Sequence, residues 1–153
     1  MISIIELRKV FETMVSELNK QNKNKISTMF FSPTEEHFVK RLGESKGIVL
    51  AVKLPDSDSE IDDENNYNEQ NHCLVYLLEK QDPGRVTNEK ELNHYAVIQS
   101  LMKDIKTYLK EVFAFDKVEY IMMSKQFRTE WEYQVKGGWN GMSLTFDLED
   151  YSL

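Results

Sequence analysis

Apolar residues recur along this chain at two spacings, and the spacing divides it into helices and strands. Ile4, Leu7, Phe11, Met14 and Leu18 fall three and four apart, Val10 and Val15 widen the stripe, and Glu6, Arg8, Lys9, Glu12 and Glu17 fill the other side. That period predicts an amphipathic first helix. The polar run 19–25 (NKQNKNK) ends it, and the short apolar run 26–31 is expected to be extended. In SPTEEHFVKRLG (32–43) Ser32 is the expected cap, Pro33 suits a first helical position, Glu35 would close a capping box and Gly43 would stop the helix. Phe38 and Leu42 should then face the core.

Residues 47–54 and 72–80 are apolar on both faces, as central strands are. Between them the segment 55–71 (PDSDSEIDDENNYNEQN) is acidic, with Ile61 and Tyr67 as its only bulky apolar residues, and reads as a long mobile loop. After a Pro-Gly turn, a third helix is predicted from Thr87 or Asn88, with Glu91 completing the cap, to about residue 113. Its buried stripe would be Tyr95, Ile98, Met102, Ile105, Leu109 and Val112. At about 26 residues it would run roughly 39 Å, enough to cross a sheet face.

The remainder reads as strand. Residues 117–124 are apolar on both faces, and in 127–135 Phe127, Thr129, Trp131, Tyr133 and Val135 alternate with Arg128, Glu130, Glu132 and Gln134. In GGWNGMSLTFDLED the residues Met142, Leu144, Phe146 and Leu148 alternate in the same way. A two-residue Gly137-Gly138 turn would set Tyr133 opposite Met142, Trp131 opposite Leu144, Thr129 opposite Phe146 and Phe127 opposite Leu148, all on a core face. The other face would pair Arg128 with Asp147. A four-residue turn keeps the same parity, and a GGWNG loop would leave Trp139 at the tip. Slipping by one residue would mix the faces, so the pattern resists it.

In order, these elements are helix, short extended piece, helix, two strands, long helix and three strands. They predict one α+β domain over residues 1–153: a two-layer sandwich of a mostly antiparallel sheet of about five strands against a long helix, with two N-terminal helices.

Charge and chemistry narrow the function. A formal net charge of -7 with only four unclustered arginines argues against a general nucleic-acid binder. Lys103, Lys106 and Lys110 form a stripe at helical spacing, for which a solvated face is the simpler reading. One cysteine, Cys73, excludes an intrachain disulfide and fits a reducing compartment. The N-terminal segment has no signal-peptide pattern and no stretch is of spanning length, so a cytoplasmic protein without a membrane partner is expected.

Asp56, Asp58 and Glu60 have the spacing of a calcium loop, but Ile61 stands where its turn glycine belongs and Tyr67 where its bidentate glutamate belongs. His37, His72 and His94 show no zinc spacing, and the six glycines give neither a phosphate loop nor a dinucleotide fingerprint. No catalytic motif is present, so a non-enzymatic protein without a cofactor is expected. The residues left as partner-binding candidates are Trp139 and Asn140 beside the turn and the acidic set Asp56, Asp58, Glu60, Asp62, Asp63 and Glu64. An exposed Trp can anchor a partner surface, although packing over the sheet edge is its other fate. The tail 150–153 could also reach a neighbour.

The ending KGGWNGMSLTFDLED, together with the element order, resembles small tail-completion or tail-terminator proteins of phages and prophage-like elements. That resemblance implies helices packed on an antiparallel sheet and a ring-forming subunit whose loops contact its neighbours. An acidic partner-binding protein, such as an immunity or inhibitor protein, is the alternative expectation.

Overall fold

A computed structural model of the chain describes residues 1–63, 66–82, 87–114, 121–123 and 126–150, of which 61–63, 66–68, 114, 121–123 and 150 are described by their backbone alone. Three helices, α1 (Ile4–Gln21), α2 (Glu35–Gly43) and α3 (Asn88–Ala114), accompany six strands. The strands are β1 (Ile26–Ser32), β2 (Ile48–Asp63), β3 (Asn66–Lys80), β4 (Ile121–Met123), β5 (Arg128–Val135) and β6 (Trp139–Asp150). They form one mixed sheet in the order β1-β2-β3-β6, with β4 and β5 both pairing β6. Ile121 lies opposite Asp150 and Arg128 opposite Thr145 along the same edge of β6, so β4 and β5 share the fifth strand position. Among the described residues only β1 and β2 run parallel, and every other pair is antiparallel. The fold is α+β, as the periodicities predict.

Strand alternation sorts the core into two sides. Leu50, Val52, Cys73, Val75, Leu77, Met142, Leu144, Phe146 and Leu148 point to the inner face, where they meet Leu7, Phe11, Met14 and Leu18 of α1 and Ile98, Met102, Ile105, Leu109 and Phe113 of α3. Val49, Ala51 and Leu78, one residue out of phase, point to the outer face and pack with Phe38 and Leu42 of α2 and with Trp139. The second helix is therefore on the opposite face from the other two. It is the crossover between parallel strands β1 and β2, a connection that must pass over one face of the sheet.

Ends and turns follow local chemistry. Thr34, not Ser32, caps α2: its Oγ1 accepts from the His37 amide at 3.3 Å. Ser32 is still paired with Lys53 of β2, so the chain cannot leave the sheet until Pro33. Thr87 Oγ1 accepts from the Lys90 amide at 3.3 Å and starts α3 where the sequence places it.

The acidic segment 55–71 is not a loop in its described residues. β2 and β3 continue as an antiparallel ribbon, with Asp56 opposite His72, Asp58 opposite Gln70 and Asp63 opposite Asn66. The register shifts between Lys53 and Asp56, at Pro55, which cannot donate to a ladder and suits a bulge on an edge. Mean hydropathy hides this strand. Along β2 it alternates carboxylate with serine (Asp56, Asp58 and Glu60 against Ser57 and Ser59) rather than polar with apolar. Beyond Lys53, β2 has no strand on its outer side among the described residues, so ten further residues, about 33 Å at strand rise, form an open edge there.

Candidate protein-binding surface

Two regions of the sheet carry exposed groups that the core does not explain. The first is the β5 edge. Its register is Thr129 opposite Leu144, Trp131 opposite Met142 and Glu132 opposite Gly141, two residues from the alignment set by a two-residue turn. A turn at 136–138 and a bulge between Glu132 and Val135 absorb the difference, with Gln134 (φ 53), Lys136 (φ 49), Gly137 (φ 84) and Gly138 (φ 113) in positive-φ conformations. A slide of two conserves parity, so Trp131 stays on the inner face.

That face is open here. Trp131 is 51% exposed and Tyr133 64%, which corrects their expected burial. Both stand at the sheet margin beside the start of α3, where Trp131 meets the Tyr95 ring edge-on at 5.3 Å. Leu92, 66% exposed, lies a turn earlier on α3. Tyr95 donates its hydroxyl to Glu91 at 2.9 Å, and burial, with that carboxylate, pushes its pKa up to about 12. It is a fixed neutral donor rather than an acid.

Trp139 and Asn140, the partner-binding candidates beside the turn, are core instead. Trp139 is 3% exposed among Phe38, Leu42 and Val49. The equally buried Asn140 accepts the Gln134 amide on Oδ1 at 2.7 Å, satisfying the backbone that the bulge would otherwise strand. Both lie on β6, an interior strand flanked by β3 and β5, and the outer-face cluster of α2 covers Trp139. Of the two tryptophans, Trp131, expected in the core, is the exposed one and Trp139 the buried one.

Along α3 from this aromatic patch runs a cleft of about 900 Å³ between the helix and the β5 segment. Met102 and Met142 lie at its base, Phe127 and Thr129 on the strand side, and Lys103, Lys106 and Lys110 along the helix side. The Lys106 ammonium sits 6.0 Å above the Phe127 ring. No Asp or Glu lines the cleft among the described residues.

The second region is the part of the outer face that α2 leaves bare. Asp56, Asp58 and Glu60 from β2, Asp147 and Glu149 from β6, and Glu130 and Glu132 from β5 share it by strand alternation. His72 lies among them and bridges two neighbours, Nδ1 to Asp147 at 2.7 Å and Nε2 to Asp58 at 2.9 Å. Both ring nitrogens face carboxylates, so both donate when the imidazole is protonated. The Asp58 bond first, and then the Asp147 bond, raise the imidazole pKa. Lys53 bonds Asp56 at 2.6 Å, and Ser143 Oγ donates to Glu132 at 2.8 Å. Asp62, Asp63 and Glu64 lie outside the described side chains, as does the tail 151–153.

Chemistry elsewhere is muted. Burial pushes the Cys73 thiol up to about 12, so it is a buried apolar group rather than a nucleophile. Among the described residues no group of three His, Cys, Asp or Glu side chains is arranged to hold a metal, and no helix is long and apolar enough to cross a membrane. No protein-family model matches the chain, and no curated protein is significantly similar to it.

Proposed function

We propose that this is a non-enzymatic assembly protein that binds a neighbouring protein along the β5 edge, in the manner of a ring subunit of a phage tail or tail-like particle. One observation carries the reading: the edge strand presents Trp131 and Tyr133 to solvent beside Tyr95 and Leu92. Edge strands expose unpaired backbone groups, and proteins that have no use for them blunt them with charge or cover them. At the opposite margin β1 is packed on both faces instead, Phe31 against Phe11 and Phe30 against Phe38. A partner strand laid along β5 would gain main-chain hydrogen bonds, with the two aromatics as anchors.

Light scattering coupled to size exclusion tests this. The wild-type chain should elute as an oligomer, and the exchange Trp131→Glu with Tyr133→Lys should return it to a folded monomer. An oligomer unaffected by the exchange would contradict the reading.

A second reading rests on the bare outer face, where carboxylates from β2, β5 and β6 gather around His72. Such a face is complementary to a basic partner, the use an immunity or inhibitor protein makes of its acidic surface. A wild-type chain that stays monomeric and binds a basic protein with strong salt dependence would favour this reading over the first.

A further inference from the structure

The lysine-lined cleft is out of character for an acidic chain. Lys103, Lys106 and Lys110 fall on one side of α3, no carboxylate shares the lining among the described residues, and Met102 and Met142 give the cleft an apolar base. Surface lysines that serve only solubility are usually interspersed with acids. Here the like charges converge on a concavity of about 900 Å³. A groove with that lining suits an extended, acidic, partly apolar segment.

The chain carries such a segment on the far side of its own sheet. The β2–β3 ribbon continues past the last β1 pair, Ser32 with Lys53, and holds Asp56, Asp58 and Glu60 on one face of an open edge. It cannot reach its own cleft. β3 and β6 stand between β2 and β5, which at about 4.8 Å per strand interval puts the two edges roughly 14 Å apart. The ribbon faces away from the cleft across the width of the sheet.

We propose that the α3–β5 cleft of one copy receives the acidic β2–β3 ribbon of a second copy. The proposal rests on the assembly reading above and deepens it by naming both halves of the contact. The ribbon edge pairs along β5, its carboxylates meet the three lysines, and Trp131 and Tyr133 cover the end of the joint. Because donor and acceptor surfaces lie on opposite margins of the sheet, the contact is head-to-tail. Repetition then closes a ring or extends a filament rather than stopping at a two-fold dimer.

Two complementary charge reversals test it. The cleft variant is Lys103→Glu with Lys110→Glu, and the ribbon variant is Asp56→Lys with Glu60→Lys; all four side chains are exposed, and far-UV circular dichroism checks that each variant is folded. By sedimentation, each variant alone should self-associate at least about 100-fold more weakly than wild type, since like charges then face each other. Mixed in equal amounts they should recover association, because the basic ribbon of one fits the acidic cleft of the other and the wild-type halves still match. The milder pair Lys103→Gln with Lys110→Gln should show a smaller loss in the same direction. Either variant associating as tightly as wild type, or a mixture that stays monomeric, would overturn the assignment. If charge reversal has no effect while Trp131→Glu with Tyr133→Lys abolishes association, the ribbon assignment fails and the β5 reading stands. A wild type that never self-associates overturns both.

Discussion

His94 occupies the buried stripe of α3 at 8% exposure, and among the described residues neither of its ring nitrogens has a hydrogen-bond partner. Burial lowers its pKa, with Glu91 opposing, so the imidazole stays neutral and two polar atoms go unsatisfied. An unmade hydrogen bond in a core costs about 1–3 kcal/mol. Replacing His94→Leu should therefore stabilise the fold, by roughly 1 kcal/mol in urea titration. His72 behaves in the opposite sense. Its pKa lies above the ordinary 6.5, so its contribution is complete below pH 6.5 and is lost as pH rises through the folded value. That of His94 is complete above pH 6.5 and is lost as pH falls through its lowered folded value. Thermal melts of His72→Gln should show the largest deficit near pH 5 and a shrinking one toward pH 9. The solvent around its ring keeps that deficit small. Neither assignment was legible in the sequence, because three histidines without ligand spacing say nothing about which is bridged and which is buried.

The elements were more legible than their neighbours. Helical period located α1 and α3, and capping and stop residues located α2. Strict alternation fixed which residues of the last two strands share a face as far as Glu132, because a slide of two preserves parity, but the bulge turns Val135 from the expected inner face to the outer one beside Trp139. The turn was not legible: the bulge between Glu132 and Val135 is a backbone solution that depends on Asn140 satisfying the Gln134 amide. Nor was it legible which tryptophan is exposed. Both stand in good strand patterns, and only strand order shows that β6 is interior while β5 is an edge. Stability should register the difference: Trp139→Ala is expected to cost about 3–5 kcal/mol, and Trp131→Ala under about 1 kcal/mol. Gly141 is a further point of contact that only the fold reveals, since a Cβ there would collide with the Leu77 carbonyl oxygen. Gly141→Ala should lower the melting temperature by more than Trp131→Ala, because backbone on backbone has no side chain that can move aside.

At the scale of the whole molecule, the net charge of -7 is unevenly spread. Carboxylates collect on the bare outer face and along the ribbon, and three lysines line the cleft on the other side. Composition alone measured the sum; the separation appears only when strands distant in sequence are set side by side. The central claim is that β5 is an edge used by a partner strand, and backbone hydrogen exchange reads that edge itself. With the wild-type chain at micromolar and then at high concentration, amides of residues 128–135 should exchange more slowly as the protein is concentrated, while those of β1 stay constant. Exchange along β5 that does not change with concentration, in a preparation that scatters as an oligomer, would contradict the account.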